Sequence, residues 1–119
     1  MAIVKTDNGK LVGGFTPQPL VYHDEDQIPE KGLFVEDKTK RSFIFNITSL
    51  RSYNLKNYRR AIKYKQDWAG PCFGEDLDIG ENVTSNVGHS YDCDSTIPID
   101  SLEAKVHLLE AQKVEIKEM

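Results

Sequence analysis

Short apolar and polar alternations, each closed by turn-forming residues, run along most of the chain. Ala2-Ile3-Val4-Lys5-Thr6 and Lys10-Leu11-Val12-Gly13-Gly14-Phe15 flank Asp7-Asn8-Gly9. Asn8-Gly9 supplies the positive-φ positions of a tight turn, so this stretch predicts an antiparallel hairpin. Thr16-Pro17-Gln18-Pro19 ends its second strand, because two prolines remove donors from a ladder, and the acidic stretch to Gly32 reads as a surface loop. From Arg41 to Thr48 the alternation puts Phe43, Phe45 and Ile47 on one face and Ile44 on the other. That predicts a central strand with the three large side chains buried, each contributing about 1.5–3 kcal/mol. Ala61 to Lys65 and Leu77-Asp78-Ile79 repeat the short-strand pattern, and Trp68 to Gly74 between them reads as turn-rich. Asn82 to Ser90 is polar and contains glycine, which suits a loop with one or two buried valines.

Near the C-terminal end the period changes. Asp100-Ser101-Leu102-Glu103 has the character of a capping box, and Leu102, Val106 and Leu109 recur at helical spacing, predicting a short helix over Ser101 to Leu109. Val114 to Lys117 alternates again as a strand. Short strands recurring between turns, with one helical signal, predict an α+β, mainly β class: a two-sheet antiparallel β-sandwich with short flanking helices rather than a βαβ sheet.

A length of 119 residues fits one domain spanning 1–119. No apolar run approaches the ~18 residues of a bilayer span, and Met1 to Asp7 lacks the layout of a secretory signal, so no membrane insertion and a cytoplasmic location are expected. Two cysteines, Cys72 and Cys93, without metal-ligand spacing fit a reducing compartment, where the sequons at Asn46 and Asn82 are chance matches. A net charge of −4 argues against nucleic acid as the partner. Arg51 to Arg60 departs from that balance by interleaving basic and aromatic residues; it reads as a solvated loop or strand face with partly inward tyrosines, and base stacking is its alternative.

Three stretches together resemble the TLDc domain of oxidation-resistance proteins. Ile3 to Thr16, with its N-G turn and G-G-aromatic ending, followed by Ser42-Phe43-Ile44-Phe45-Asn46-Ile47, is similar to that family's opening hairpin and S-F-(L/I)-F-S-L strand. Gly70-Pro71-Cys72-Phe73-Gly74-Glu75-Asp76-Leu77-Asp78-Ile79 is similar to its G-P-x-F-G…D-L-x-I signature. Asn86 to Tyr91, and then Glu103 through Leu108 to Met119, are similar to its closing segment. The chain departs from the pattern at Leu20, where the family commonly has tryptophan after proline, and at Glu75, where it often has glycine. The resemblance implies a domain incomplete at both ends, lacking the family's N-terminal helical portion and the end of its last strand. It also implies a non-catalytic protein-interaction module that protects against oxidative stress or binds and regulates the vacuolar proton-pumping ATPase.

The quoted residues speak mainly to fold. Gly13 and Gly14 make room for a close backbone approach or a bulge, and Gly70-Pro71 sets a rigid corner presenting Phe73 to the core, ahead of Gly74, Asp76 and Leu77. His23, Asp24, Glu25 and Asp26 form an exposed acidic loop suited to a protein partner; the cluster lacks the ligand register of a calcium loop. His89 to Asp94 contains a base, hydroxyls and a thiol, but sequence neighbours point in different directions on a strand. Cys72 is an inert core cysteine, or a redox thiol if its pKa is depressed and it is open to solvent. These residues require no catalytic set, cofactor, metal or specific small-molecule ligand. The expectation is a binding module, and its alternative is a structural component of a larger assembly, folded against neighbouring subunits.

Overall fold

The computed structural model describes residues 1–20, 25–65, 68–80 and 82–118. Ten strands lie among them: β1 (Ala2–Thr6), β2 (Leu11–Phe15), β3 (Leu33–Val35), β4 (Phe43–Asn46), β5 (Arg51–Asn54), β6 (Ile62–Lys65), β7 (Trp68–Phe73), β8 (Leu77–Ile79), β9 (Asn82–Ser85) and β10 (Lys113–Glu118). One helix, α1 (Leu102–Val106), and two 3₁₀ turns, Glu25–Gln27 and Tyr58–Arg60, accompany them. The class is mainly β, α+β, as the short alternating runs predict.

All described pairings are antiparallel, in the order β3-β6-β7-β8-β9-β10-β1-β2-β4-β5. The pairings form one continuous hydrogen-bonded order whose two halves meet at β10. Lys113, Val114 and Glu115 pair with β9, whereas Ile116 and Glu118 pair with β1 across a register shift at Lys5 and Thr6. A strand that changes neighbours at a bulge bends the sheet there. The bend brings β2 onto β8 and the Phe73 ring onto Gly14, so inward side chains of both halves share one core. Val4, Val12, Ile44 and Tyr53 enter it from one half, and Tyr64, Phe73, Leu77 and Val83 from the other.

The first hairpin forms, with a different turn. Of the Asn8-Gly9 pair only Gly9 has positive φ (+81°). The Gly9 amide donates to the Thr6 carbonyl at 3.0 Å and the Thr6 amide to the Lys10 carbonyl at 2.9 Å, the pattern of a three-residue loop ending in a left-handed glycine. Asn8 works through its side chain, which accepts from the Thr6 hydroxyl and donates to the Leu109 carbonyl at 3.0 Å.

Four other expectations are corrected. In β4 it is Ile44 and Asn46 that point into the central core; Phe43, Phe45 and Ile47 share the opposite face, where Phe45 is buried as expected, Phe43 is half-buried and Ile47 remains 46% exposed. Gly70-Pro71 is no corner but part of β7, with Pro71 opposite Tyr64. The proline is tolerated because β8 pairs only with Cys72 and Phe73, leaving the ladder one-sided at Pro71. The chain turns instead at Gly74, φ +60°, where the Asp76 amide donates to the Phe73 carbonyl at 3.1 Å. Asn82–Ser85 is a strand, since alternation of buried Val83 and Ser85 with Asn82 and Thr84 suits a half-buried pleat despite its polarity. The helix stops at Val106; Ser101 caps it by accepting from the Ala104 amide at 3.1 Å, and Leu102 stays exposed while Ala104, Leu108 and Leu109 are buried.

The two adjacent glycines of β2 meet different obstacles. A Cβ on Gly13 would lie 1.9 Å from the Ala2 carbonyl oxygen, and one on Gly14 would lie 2.6 Å from the Phe73 ring. We predict that Gly14→Ala lowers unfolding stability by about 1–3 kcal/mol through overpacking, and that Phe73→Leu in the same chain recovers part of the loss. Gly13→Ala should cost more, because backbone cannot yield as a ring can. Urea unfolding of the two single variants and the Gly14/Phe73 double variant measures both effects.

Candidate functional site

The quoted motif residues build a structural hub. Asp76 is fully buried in the turn between β7 and β8, and its carboxylate accepts four backbone amides. Gly88, His89 and Tyr91 donate to Oδ2 at 3.1, 3.1 and 3.0 Å, and Ser90 donates to Oδ1 at 2.8 Å. Burial pushes the carboxyl up to about 6 while the amides of Ser90, Tyr91 and His89 pull it down, so it is ionised at neutral pH. Gly74 is required beside it: its left-handed φ suits glycine, and a Cβ would lie 2.5 Å from the Ser90 hydroxyl. Phe73 and Leu77 are buried on either side, with Phe73 edge-on to Tyr91 at 6.5 Å. Thus Gly13, Gly14, Phe73, Gly74, Asp76 and Leu77 hold backbone and core together, and Gly70 and Pro71 supply strand backbone.

The candidates for chemistry fare differently. Cys72 is 1% exposed, and burial followed by the nearby Asp78 carboxylate pushes its thiol up to about 12. Such a thiol is neither ionised nor reachable at neutral pH, which is the inert alternative. Glu75, the nearer acidic residue in sequence, is instead paired with Lys63 at 2.7 Å. His23 and Asp24 of the acidic loop lie outside the described residues; Glu25 and Asp26 begin the first 3₁₀ turn, and Asp26 is exposed. Of the His89 to Asp94 run, His89 turns to Asp100, 2.7 Å from Nε2 to Oδ1, and not to Cys93. Among the described residues no group of three or more His, Cys, Asp and Glu side chains is placed to hold a metal ion, and no helix is long and apolar enough to cross a membrane.

A polar cavity of about 450 Å³ lies between β5, Asp92 to Asp94 and His107. Burial pushes the Tyr53 hydroxyl up to about 12, so it stays protonated and shares a hydrogen bond of 2.6 Å with His107 Nδ1. Burial, then the Arg51 cation, lowers His107. Arg51 donates to the His107 carbonyl at 2.6 Å, so the same residues pin the end of α1 to the edge strand. A neutral histidine already engaged by tyrosine, beside a Cys93 thiol raised by its own burial, is a structural clasp rather than a base and nucleophile.

The outer face of β1, β2 and β4 has a different character. Ile3, Leu11, Phe15, Phe43 and Phe45 project from it, with Phe15 and Phe43 5.6 Å apart and Phe43 and Phe45 5.7 Å apart. A shallow groove of about 410 Å³ runs over this face, walled by Met1, Ile3, Phe43, Phe45, Ile47 and Leu50. Leu50 is 91% exposed and has φ +57°. A leucine is doubly unfavourable there, in solvent exposure and in left-handed backbone strain. The turn is held regardless: the Ser49 amide donates to Asn46 Oδ1 at 3.0 Å, and Asn46 Nδ2 donates to the Leu108 carbonyl at 2.8 Å. Inward-pointing Asn46 thus fixes the turn that presents Leu50.

Sequence reasoning passed over Asp37. Fully buried, it accepts from the Thr39 amide and hydroxyl at 3.1 and 2.5 Å, the Arg41 amide at 3.1 Å, and the Ser42 amide and hydroxyl at 2.9 and 2.7 Å. Burial raises this carboxyl, but bonds from Thr39, Ser42 and Gln18 outweigh it and bring it down to about 2. The Asp-x-Thr spacing of a side-chain-closed turn was the available signal.

Both carboxylates yield measurable expectations. Asp76→Asn puts an amide NH₂ against backbone donors and should cost on the order of 3 kcal/mol in denaturant unfolding. Asp37 has a folded pKa near 2 against 3.8 unfolded, so its ionisation stabilises the fold above about pH 4 and is lost as pH falls toward 2. The stability gap between wild type and Asp37→Asn should therefore be flat above about pH 5 and shrink by about 2 kcal/mol on acidification.

Set beside known proteins, the chain matches no family model, and no curated protein or solved structure is significantly similar to it.

Proposed function

We propose that this chain is a non-catalytic, TLDc-type protein-interaction module whose partner seats on the outer face of β1, β2 and β4. The observation that carries this reading is Leu50, a strained, almost fully exposed leucine at the mouth of an apolar groove and held there by the buried Asn46. Exposed apolar patches of this kind mark interaction surfaces, and a rigid protruding aliphatic beside aromatic walls is a natural anchor for one. The buried state of Cys72 and the clasped state of His107 favour binding over chemistry.

The resemblance in Ile3 to Thr16, Gly70 to Ile79 and Asn86 to Tyr91 supplies the biological version of the proposal: protection against oxidative stress, through binding and regulation of the vacuolar proton-pumping ATPase. A cytoplasmic setting accompanies that version, since both thiols are free. The same apolar face also favours a second reading, a structural component folded against neighbouring subunits.

Leu50→Asp and Ile47→Asp should leave the unfolding free energy within about 0.5 kcal/mol of wild type, because both side chains are solvent-facing. Affinity capture with the wild-type chain is expected to enrich pump subunits, and either variant to lose them. Enrichment of other proteins without pump subunits sinks the pump version. A chain that sediments as a defined oligomer, and becomes monomeric in Leu50→Asp, favours the structural component.

A further inference from the structure

At the other end of the strand order, β3 and β6 carry a cationic patch on an otherwise acidic chain. Four cations stand over two rings. Arg60 lies 4.7 Å and Lys63 5.4 Å from the Phe34 ring centre, while Arg59 lies 5.5 Å and Lys40 5.7 Å from that of Tyr58. Separate elements bring them together: β3 supplies Phe34, β6 supplies Lys63, the second 3₁₀ turn supplies Tyr58, Arg59 and Arg60, and the β3–β4 connection supplies Lys40. Two backbone features fix this gathering. The Asp37 amide donates to the Tyr58 carbonyl at 2.9 Å, tying the loop of Lys40 to the turn of Arg59. Gly32, at φ +95°, leaves space that the Lys63 stem fills, since a Cβ there would lie 2.7 Å from Lys63 Cε.

Among the described residues most of this charge is not neutralised. Lys63 pairs with Glu75 and Lys38 with Glu36, but among the described residues no carboxylate lies within salt-bridge distance of Lys40, Arg59 or Arg60. Glu36 acts on Arg59 only through space. Three uncompensated cations, partly immobilised against aromatic rings, have already lost some of the freedom that binding would otherwise remove.

We propose that this patch docks an acidic, Glu/Asp-rich segment of a partner protein. Carboxylates match the guanidinium forks of Arg59 and Arg60, and the remaining negative charge of the chain does not oppose a short segment confined to the patch. The rings already carry cations, so they do not offer the bare faces on which nucleic-acid bases stack. Nor does the patch include an apolar side chain to enter a lipid surface: none of the exposed large hydrophobic residues belongs to β3, β6 or the Tyr58–Arg60 turn. The site is independent of the outer apolar face and of the function proposed for it.

The test is a fluorescence-anisotropy titration of the full chain with a labelled poly-glutamate peptide, at low and at physiological salt. Saturable binding that weakens with salt is expected. Arg59→Glu with Arg60→Glu should weaken it by at least about tenfold, the scale expected when two exposed attractions become repulsions. The neutral pair Arg59→Gln with Arg60→Gln should weaken it less, and Lys5→Glu on β1 not at all. A neutral pair that keeps wild-type affinity overturns the proposal, even where the reversed pair does not fold. So does tighter binding to single-stranded poly-uridylate RNA or phosphatidylserine vesicles than to poly-glutamate, or self-association of the chain that the Gln pair abolishes.

Discussion

Four backbone amides converging on the Asp76 carboxylate are the constraint on which the rest of the molecule depends. After β9 the chain leaves the sheet, and His89 to Tyr91 would enter the loop with their amides unsatisfied, while the Gly88 amide also reaches the Tyr91 carbonyl at 3.0 Å. One carboxylate accepts from all four, and charge-assisted bonds offset part of the desolvation of its charge. Once fixed, the same segment fixes others. The Ser90 carbonyl accepts the amides of Lys56 and Asn57 at 2.7 and 3.0 Å, and the Tyr91 hydroxyl reaches the Ala61 carbonyl at 2.7 Å. The turn between β7 and β8, the connection from β5 to β6 and the loop after β9 are therefore a single unit. Phe73, beside Asp76, then rests on Gly14 and carries that unit across to the other half of the sheet.

This arrangement joins stretches far apart in the sequence. Ile3 to Thr16, Gly70 to Ile79 and Asn86 to Tyr91 meet at two contacts: Gly14 against Phe73, and Asp76 against Gly88 to Tyr91. The closing strand β10 joins the halves by pairing with β9 along one part and β1 along the other. A sheet closed by its most distant pairings has its loop-closure entropy opposed only when those pairings form. These residues are thus tied to the fold as a whole, and they bear on architecture before partner.

What the sequence made legible follows the range of the interactions. The hairpin at Asn8-Gly9, the strands at Phe43, Ile62 and Leu77, and the Ser101 cap are local patterns, and each appears. Alternation in β4 gave the period but not its direction. Of the three larger side chains Phe45 is buried, yet it is Ile44 and Asn46 that face the central core, because Asn46 has a distant partner, the Leu108 carbonyl, and Ile44 lies opposite Gly14. Pro71 read as a corner because the one-sidedness of β7 at that point is a property of β8. Asn82–Ser85 read as a loop because its polar residues become strand only when β8 and β10 flank them. The clasp of Tyr53 and His107 joins residues far apart in sequence and leaves no local mark.

The facing of β4 determines what the outer surface presents. Because Asn46 turns inward to hold the Leu108 carbonyl, period two obliges Phe45 and Ile47 to turn outward, and the turn that Asn46 closes carries Leu50 into solvent. The apolar face is therefore a consequence of a buried polar contact rather than residual hydrophobicity at the rim of a core. The cationic patch has a parallel origin: Asp37, satisfied below the surface, holds the loop from which Lys40 reaches Tyr58. In both places a buried polar side chain directs its hydrogen bonds to the chain's own loop and so determines what that loop presents. Apolar contact supplies affinity that salt scarcely alters, whereas exposed cations supply steering and orientation that salt screens. Placed on strands at opposite ends of the sheet order, the two surfaces are separable, and they differ in physical character as much as in place.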